Sequence, residues 1–316
     1  MYRHGKKAFL SLTLVLSMLL AACVNSSEQQ EDNTATPKAD ITIKDDFGHN
    51  VTYSAKSSRI LAPYMEDALV TLGITPIAKY SAGGTVQQHL EPWLKELPII
   101  DLTSGISPEA VVELDPDLVL ISSHFLPVDK YDTIAKAAPT YLIDGGNTDW
   151  RAVLNKLATL LDKTDVAEAK MIDYDKEIAT ARDQLKNVSG DQTVAIVWPS
   201  EKEFYLVGSQ FLSGKLIYGE LGLIPHPLAT TTSDNFVALS LEKVAELDAD
   251  ELFIITPEGQ TEKQVRELLQ GIPLWAELPA VKNKKVYHVE SGHWINSAYL
   301  SNLSVVDDVK KALLDQ

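Results

Sequence analysis

One stretch of this 316-residue chain is written twice. Residues 107–121 read SPEAVVELDPDLVLI, and residues 240–254 read SLEKVAELDADELFI. Ser, Glu, Val, Glu-Leu-Asp, Asp and Ile match at a constant offset of 133 residues, Ser107 to Ser240. Each copy has the same physical grammar. A serine stands where a helix N-cap is wanted, and a glutamate, Glu109 or Glu242, falls in the first turn, where the helix dipole favours negative charge. A short helix follows (PEAVVEL, LEKVAEL) and an Asp-flanked turn stops it (DPD, DAD). Then comes an unbroken apolar run (LVLIS, ELFIIT), the mark of a strand covered on both faces.

Other segments recur. ALVTLGITPIA (68–78) and LIYGELGLIPH (216–226) both predict helix, glycine stop and strand. WLKELPII (93–100) is echoed by LWAELPAV (274–281), at another place in its half. Alternating strands and helices imply parallel α/β sheets. Between the halves, residues 165–185 hold no Gly or Pro, and Met171, Tyr174, Ile178, Ala181 and Leu185 follow helical spacing. The predicted architecture is α/β: two similar lobes, 41–163 and 188–316, with parallel-type central sheets, joined by one long helix over 164–187. A cleft between two such lobes is the expected ligand site.

The N-terminus reads separately. Arg3, Lys6 and Lys7 precede an apolar run from Ala8 to Leu20, too short to span a bilayer comfortably and suited to a secretory signal. It ends in LLAAC, whose cysteine is the chain's only one. That excludes an internal disulfide. LLAAC resembles the bacterial lipoprotein cleavage site, so residues 1–22 are expected to be removed and Cys23 to carry lipid. Residues 23–40 are polar and form a predicted tether. The formal charge of −16 argues against nucleic-acid binding.

The segments SSRILAPYMEDALVTLGITPIA, SPEAVVELDPDLVLIS, LSLEKVAELDADELFIIT and WAELPAVKNKKVYHVESGHW, in this order behind a lipobox, are similar to those of the iron–siderophore substrate-binding lipoproteins of ABC transporters. That helical-backbone family also includes cobalamin and haem binders. The resemblance implies a monomeric, rigid two-lobed receptor that docks on a permease dimer with its ATPase. It implies that Glu109 and Glu242 meet permease arginines, one per matching subunit. It implies a ferric siderophore as ligand, with Fe(III) held only as the siderophore complex and no cofactor bound by the protein alone. The location implied is the extracytoplasmic face of the cell membrane, with a Gram-positive exterior favoured over a periplasm.

Ligands of α/β lobes lie beyond the carboxyl ends of the strands. That rule selects Tyr64 and Met65 after RILA, Lys79 and Tyr80 after TPIA, and His124 after LVLISS. In the second half it selects Trp198, Tyr205, Phe211, His293 and Tyr299. Related proteins often line the pocket with a tryptophan near the last of these places, which makes Trp294 the leading candidate. Aromatic faces cover a siderophore's organic shell, and Tyr, Trp and His offer donors to chelate oxygens. No arginine sits clearly at a strand end: Arg59 precedes a strand, and Arg151, Arg182 and Arg266 read as helical. That favours a neutral or weakly charged hydroxamate complex over an anionic triscatecholate. A haem or cobalamin binder is the alternative, with Met65, His124 or His293 as axial ligands. A secreted hydrolase is the remote one, since GxSxG, HExxH, the P-loop and GxGxxG do not occur.

Overall fold

A computed structural model describes residues 40–145, 149–230 and 235–315. The predicted signal peptide, Cys23 and nearly all of the tether lie outside the described residues. The first half opens with a hairpin of β1 (Asp40–Lys44) and β2 (Asn50–Ser54). It continues through β3 (Ile60–Leu61), β4 (Lys79–Ala82), β5 (Thr85–Val86), β6 (Ile99–Asp101), β7 (Leu118–Ser122) and β8 (Thr140–Ile143). These make two three-stranded sheets, β3-β7-β8, all parallel, and β5-β4-β6, with β5 antiparallel. The second half holds β9 (Thr193–Pro199), β10 (Glu203–Val207), β11 (Ile224–Pro225), β12 (Phe236–Ser240), β13 (Glu251–Thr256) and β14 (Val286–Glu290). They form one sheet in the order β12-β10-β9-β13-β14, with β11 also on β9. That sheet is mixed: β10 is antiparallel to both β9 and β12.

The duplicated segment supplies an interior strand, flanked on both sides, in each half. β7 lies between β3 and β8, and β13 between β9 and β14, all parallel. The continuous apolar runs follow from burial on both faces. In β7, Leu118 and Leu120 join the large core shared by the two halves, while Val119 and Ile121 join an outer cluster. In β13, Phe253 and Ile255 face the shared core, and Leu252 and Ile254 the opposite side. The glycine stops also match. Gly73 and Gly222 both adopt φ +76°, a left-handed conformation that ends a helix at little cost only without a Cβ.

Three local readings are corrected. Ser107 caps its helix, accepting from the Ala110 amide at 3.1 Å, but Ser240 makes no such bond and Leu241–Glu246 is a 3-10 helix. The strand expected over ITPIA begins only at Lys79. The LWAELPAV echo is not structural: LPII runs into β6, whereas LPAV opens the short helix Pro279–Lys282. Ala-Val-Lys tolerates a helical turn that the β-branched Ile-Ile favours less.

The linking helix spans Thr164–Ser189, about 39 Å at 1.5 Å per residue. Tyr174, Ile178, Ala181 and Leu185 are buried on its inner stripe, packed with the C-terminal helix Tyr299–Leu314. Ala298, at the N-cap of that C-terminal helix, has no side-chain acceptor. Asp67 supplies one from the first half, taking the Leu300 and Ser301 amides at 2.9 Å each. Asp67 is 2 % exposed, so its charge is offset by these amides and by the positive end of the helix dipole. Asp67→Ala should lower the unfolding free energy by about 2–4 kcal/mol, because two buried N–H groups lose their acceptor. Urea denaturation with an unchanged m-value would show it; a change under about 0.5 kcal/mol would mean that the bonds between the halves do not hold the junction.

Candidate functional site

A cavity of 360 Å³ opens between the halves, within the range of small-ligand sites. The first half contributes Tyr64, Met65, Ser122, His124, Phe125 and Trp150. The second contributes Phe211, Leu212, Tyr299 and the 295–298 segment. The lining residues include Asp67 and Asp144 but no lysine or arginine among the described residues.

The aromatic wall of the first half is built at strand ends. Tyr64 follows β3, Tyr80 lies in β4, and His124 and Phe125 follow β7. Tyr64, Tyr80 and Phe125 meet pairwise with ring centroids 5.3–5.5 Å apart, and His124 stands edge-on to Phe125 at 5.1 Å. Tyr64 is held at φ +66°, unfavourable for a residue with a Cβ. The Tyr64 and Tyr80 hydroxyls are both raised, first by burial and then by neighbouring charges that include Glu258; Tyr80 is pushed up to about 12.

The second-half wall is pinned by a close backbone approach. A Cβ on Gly214 would lie 2.2 Å from the Gly208 carbonyl oxygen, so the loop closes only with glycine there. Within that loop Leu212 takes φ +43°. Phe211 packs against Phe236 at 5.1 Å, and Phe236 in turn meets Trp198 at 6.0 Å and Tyr205 at 6.2 Å. Trp198 and Tyr205 are register partners of β9 and β10 and stand behind Phe211 as support, outside the cavity lining.

The structure thus places Tyr64, Met65, His124, Phe211 and Tyr299 on the cavity, with Tyr80 in ring contact with that lining. Three candidates move into the interior. Lys79 is 7 % exposed and bonds Glu91 at 2.7 Å and the Lys95 carbonyl at 3.1 Å; a buried ammonium needs such partners. Trp294 is fully buried, stacked on Phe253 at 5.0 Å, with Nε1 donating to Asp308 at 2.9 Å. His293 shares that acceptor, its Nε2 lying 2.7 Å from the same Asp308 oxygen. Burial alone would raise Asp308, but the hydrogen bonds from His293 and Trp294 outweigh it and hold the carboxyl below its usual value. Trp294 is therefore core, not cleft. Trp150 lines the cavity and was not selected from sequence; its place just after the Asp149 cap at the head of the Trp150–Leu160 helix was the available signal.

Residues 61–291 match the protein family described as periplasmic binding protein. The chain belongs to that family. Among relatives, an Iron(3+)-hydroxamate-binding protein, FhuD of Bacillus subtilis, is 27 % identical over 299 residues, covering 92 % of this chain and 91 % of the relative. A probable siderophore-binding lipoprotein of the same organism, YfiY, is 27 % identical over 332 residues, 99 % of each chain. Among solved structures, a FhuD fold-family periplasmic binding protein of a ferrichrome ABC transporter from Bacillus subtilis superposes with a TM-score of 0.73. At 23 % identity it covers 87 % of this chain and 100 % of that one, which establishes the two-lobed fold. The family comprises binding components of transport systems, so this chain is a binding protein by descent.

One buried acid of this binding protein stands behind the aromatic wall. Glu66 is 1 % exposed; Oε1 accepts the Tyr80 amide at 2.7 Å and Oε2 has no partner. Burial, only partly opposed by backbone N–H bonds, raises its pKa from 4.5 to about 8. A raised folded-state pKa means that the protonated acid is favoured by folding. Its contribution is whole below about pH 4.5 and is lost as pH rises to about 8, by up to about 1.4 kcal/mol per pH unit. Glu66→Gln mimics the protonated form, so its stability relative to wild type should climb between pH 5 and pH 8. A pH-independent difference in urea unfolding would show instead that Glu66 is ionised in the fold.

Proposed function

We propose that this protein is a lipid-anchored, extracytoplasmic receptor that binds a ferric siderophore, with tris-hydroxamate complexes favoured, and delivers it to an ABC permease. The observation that carries this is the cavity itself. Its walls come from both halves, they are mainly aromatic and aliphatic, and no lysine or arginine lines it among the described residues. Such a surface suits an organic shell wrapped around chelated iron in a complex that carries no net charge. A triscatecholate complex is strongly anionic and would lack a counter-charge there. The name of the FhuD relative, an Iron(3+)-hydroxamate-binding protein, supports the same class. Binding without catalysis is the role assigned, with lipid on Cys23 as the tether and the monomer as the working unit.

Titration of the purified protein with ferric hydroxamates, ferric catecholates, ferric citrate, haem and cobalamin tests this, with tryptophan fluorescence as readout because Trp150 lines the cavity. Saturable quenching by a ferric hydroxamate is expected, weakened about tenfold or more in Tyr64→Ala and Phe211→Ala, each of which removes an aromatic contact. A haem would have Met65 and His124 within the cavity as candidate axial ligands and would show a Soret band. Quenching by haem or cobalamin alone would keep the fold and replace the ligand.

Glu109 and Glu242 are both exposed, in the first turns of the duplicated segments. Their proposed role is to meet cationic groups of two matching permease subunits, the second being presented by a 3-10 turn instead of an α-helix. Glu109→Ala with Glu242→Ala should abolish iron uptake in cells while leaving ligand affinity in vitro within about twofold, since neither residue lines the cavity. Undiminished uptake by the double variant would remove these glutamates from the docking surface.

A further inference from the structure

A smaller cavity, of 170 Å³, adjoins the first and shares Trp150, Leu212 and Ser297 with it. Beyond those residues its lining turns charged, with Arg151, Lys215 and Glu220. Arg151 connects this group. Its guanidinium carbon lies 4.7 Å from the centre of the Trp150 ring and 4.8 Å from that of Tyr174. Its Nη2 is 2.6 Å from Oδ1 of Asp175, on the linking helix, and 3.9 Å from Oε2 of Glu220, in the second half. One first-half side chain therefore reaches a cavity ring, the linking helix and the far wall.

The far wall is built on a segment that needs such a tie. After Phe211 the chain runs through the short helix Leu212–Gly214 straight into Lys215–Glu220. The latter is a π-helix, a rare form met mostly as single turns and often at functional sites. Leu212 begins the segment with left-handed backbone, at φ +43°. Glu220 ends it and is fastened twice. Its carbonyl accepts Arg182 Nε of the linking helix at 2.6 Å, and its carboxylate faces Arg151. Burial raises the Glu220 carboxyl, while the Tyr174 hydroxyl, Arg151 and Lys215 oppose that rise. On the near wall, Trp150 is 8 % exposed and packs against Tyr174 at 4.8 Å and Tyr299 at 6.1 Å. A planar guanidinium can lie on a ring and still bond carboxylates at its edge, which an ammonium does poorly.

We propose that Arg151 is a positioning residue for ligand binding: it holds the Trp150 ring on one cavity wall and ties the Leu212–Glu220 segment of the other wall to it. Arg151 does not line the first cavity, so it acts through Trp150 and Glu220. The consequence for affinity rests on the receptor reading above; the placement of Trp150 does not.

Two measurements on the purified protein test this. The first, without ligand, is acrylamide quenching of tryptophan fluorescence, each variant being compared with and without Trp150→Phe to isolate Trp150. The second is the affinity for a ferric tris-hydroxamate. Arg151→Lys keeps the charge and loses the planar stack; Asp175→Asn removes only the exposed ion pair. The Arg151 and Glu220 side chains are 30 % and 27 % exposed, so variants of both are expected to fold. Arg151→Lys should raise the quenching constant of Trp150 about threefold and weaken affinity about five- to tenfold. Asp175→Asn should change both by less than about 1.5-fold, because an exposed pair contributes little. Glu220→Gln should weaken affinity about threefold, and Arg151→Lys with Glu220→Gln no more than Arg151→Lys alone, since the two share one contact. Equal effects of Arg151→Lys and Asp175→Asn would reduce Arg151 to a surface ion pair and overturn the proposal. Trp150 quenching unmoved by Arg151→Lys, or fully additive effects of Arg151→Lys and Glu220→Gln, would also overturn it. If the wild-type protein binds no ferric tris-hydroxamate, the hydroxamate reading falls, and the ligand-free quenching decides whether Arg151 holds Trp150.

Discussion

The structure depends on one carboxylate placed where a helix begins without a cap of its own. The C-terminal helix starts at Tyr299 after Ala298, and its first amides would be buried without acceptors. Asp67, more than 230 residues earlier, takes two of them. His89 Nε2 lies 3.3 Å from the same carboxylate. A buried acid here is stable only because the helix is present, and the helix start is satisfied only because the acid is present. This mutual dependence fixes the 66–71 helix of the first half against the C-terminal helix of the second. The aromatic wall containing Tyr64 begins one turn away.

The linking helix converts that local bond into a global constraint. Its inner stripe packs against the C-terminal helix, and Lys310 of the latter reaches Glu177 of the former at 2.9 Å. Tyr174 and Tyr299 also meet across them, at 6.0 Å. Tyr299 is therefore both a cavity residue and part of this junction. The large apolar core runs through the same region, joining Leu118 and Leu120 to Phe253 and Trp294. The two halves share one core, so the cavity walls are held in register by packed helices and strands.

The sequence displayed this architecture through its repetition. Two copies of one segment became two interior strands, and the apolar runs became strands buried on both faces because each has helices or loops on either side. What the repeat could not show was divergence within it. Pro108 fixes the first helical turn in one copy, while Leu241 in the other does not, and the second copy relaxes to a 3-10 helix. The strand-end rule found Tyr64, His124 and Phe211 because it follows from chain direction alone. It misplaced Lys79 and His293, and the family likeness misplaced Trp294, because Glu91 and Asp308, which draw them inward, lie on other elements. Polar partners of this kind have no periodic signature. Phe236 was hidden differently, at the start of β12 behind a polar run of sequence that says nothing about an aromatic hub.

The cavity walls also carry their own strain. Of the non-glycine residues with left-handed backbone, Tyr64 lies on one wall and Leu212 on the other. Each such residue costs about 1–3 kcal/mol and persists only where its surroundings leave no alternative. For Tyr64 those surroundings are the turn closed by Met65 N to Ala62 O and the packed rings of Tyr80 and Phe125. For Leu212 they are the contact of Gly214 with Gly208 and the ring of Phe236 behind Phe211. Strain present without ligand is met during folding, not during binding. A ligand entering between these walls then finds its aromatic contacts already formed and loses less affinity to ordering. The same logic explains why one long helix suits this molecule better than a pair of flexible strands. A groove whose walls are already strained into shape gains little from opening wide, and much from being held.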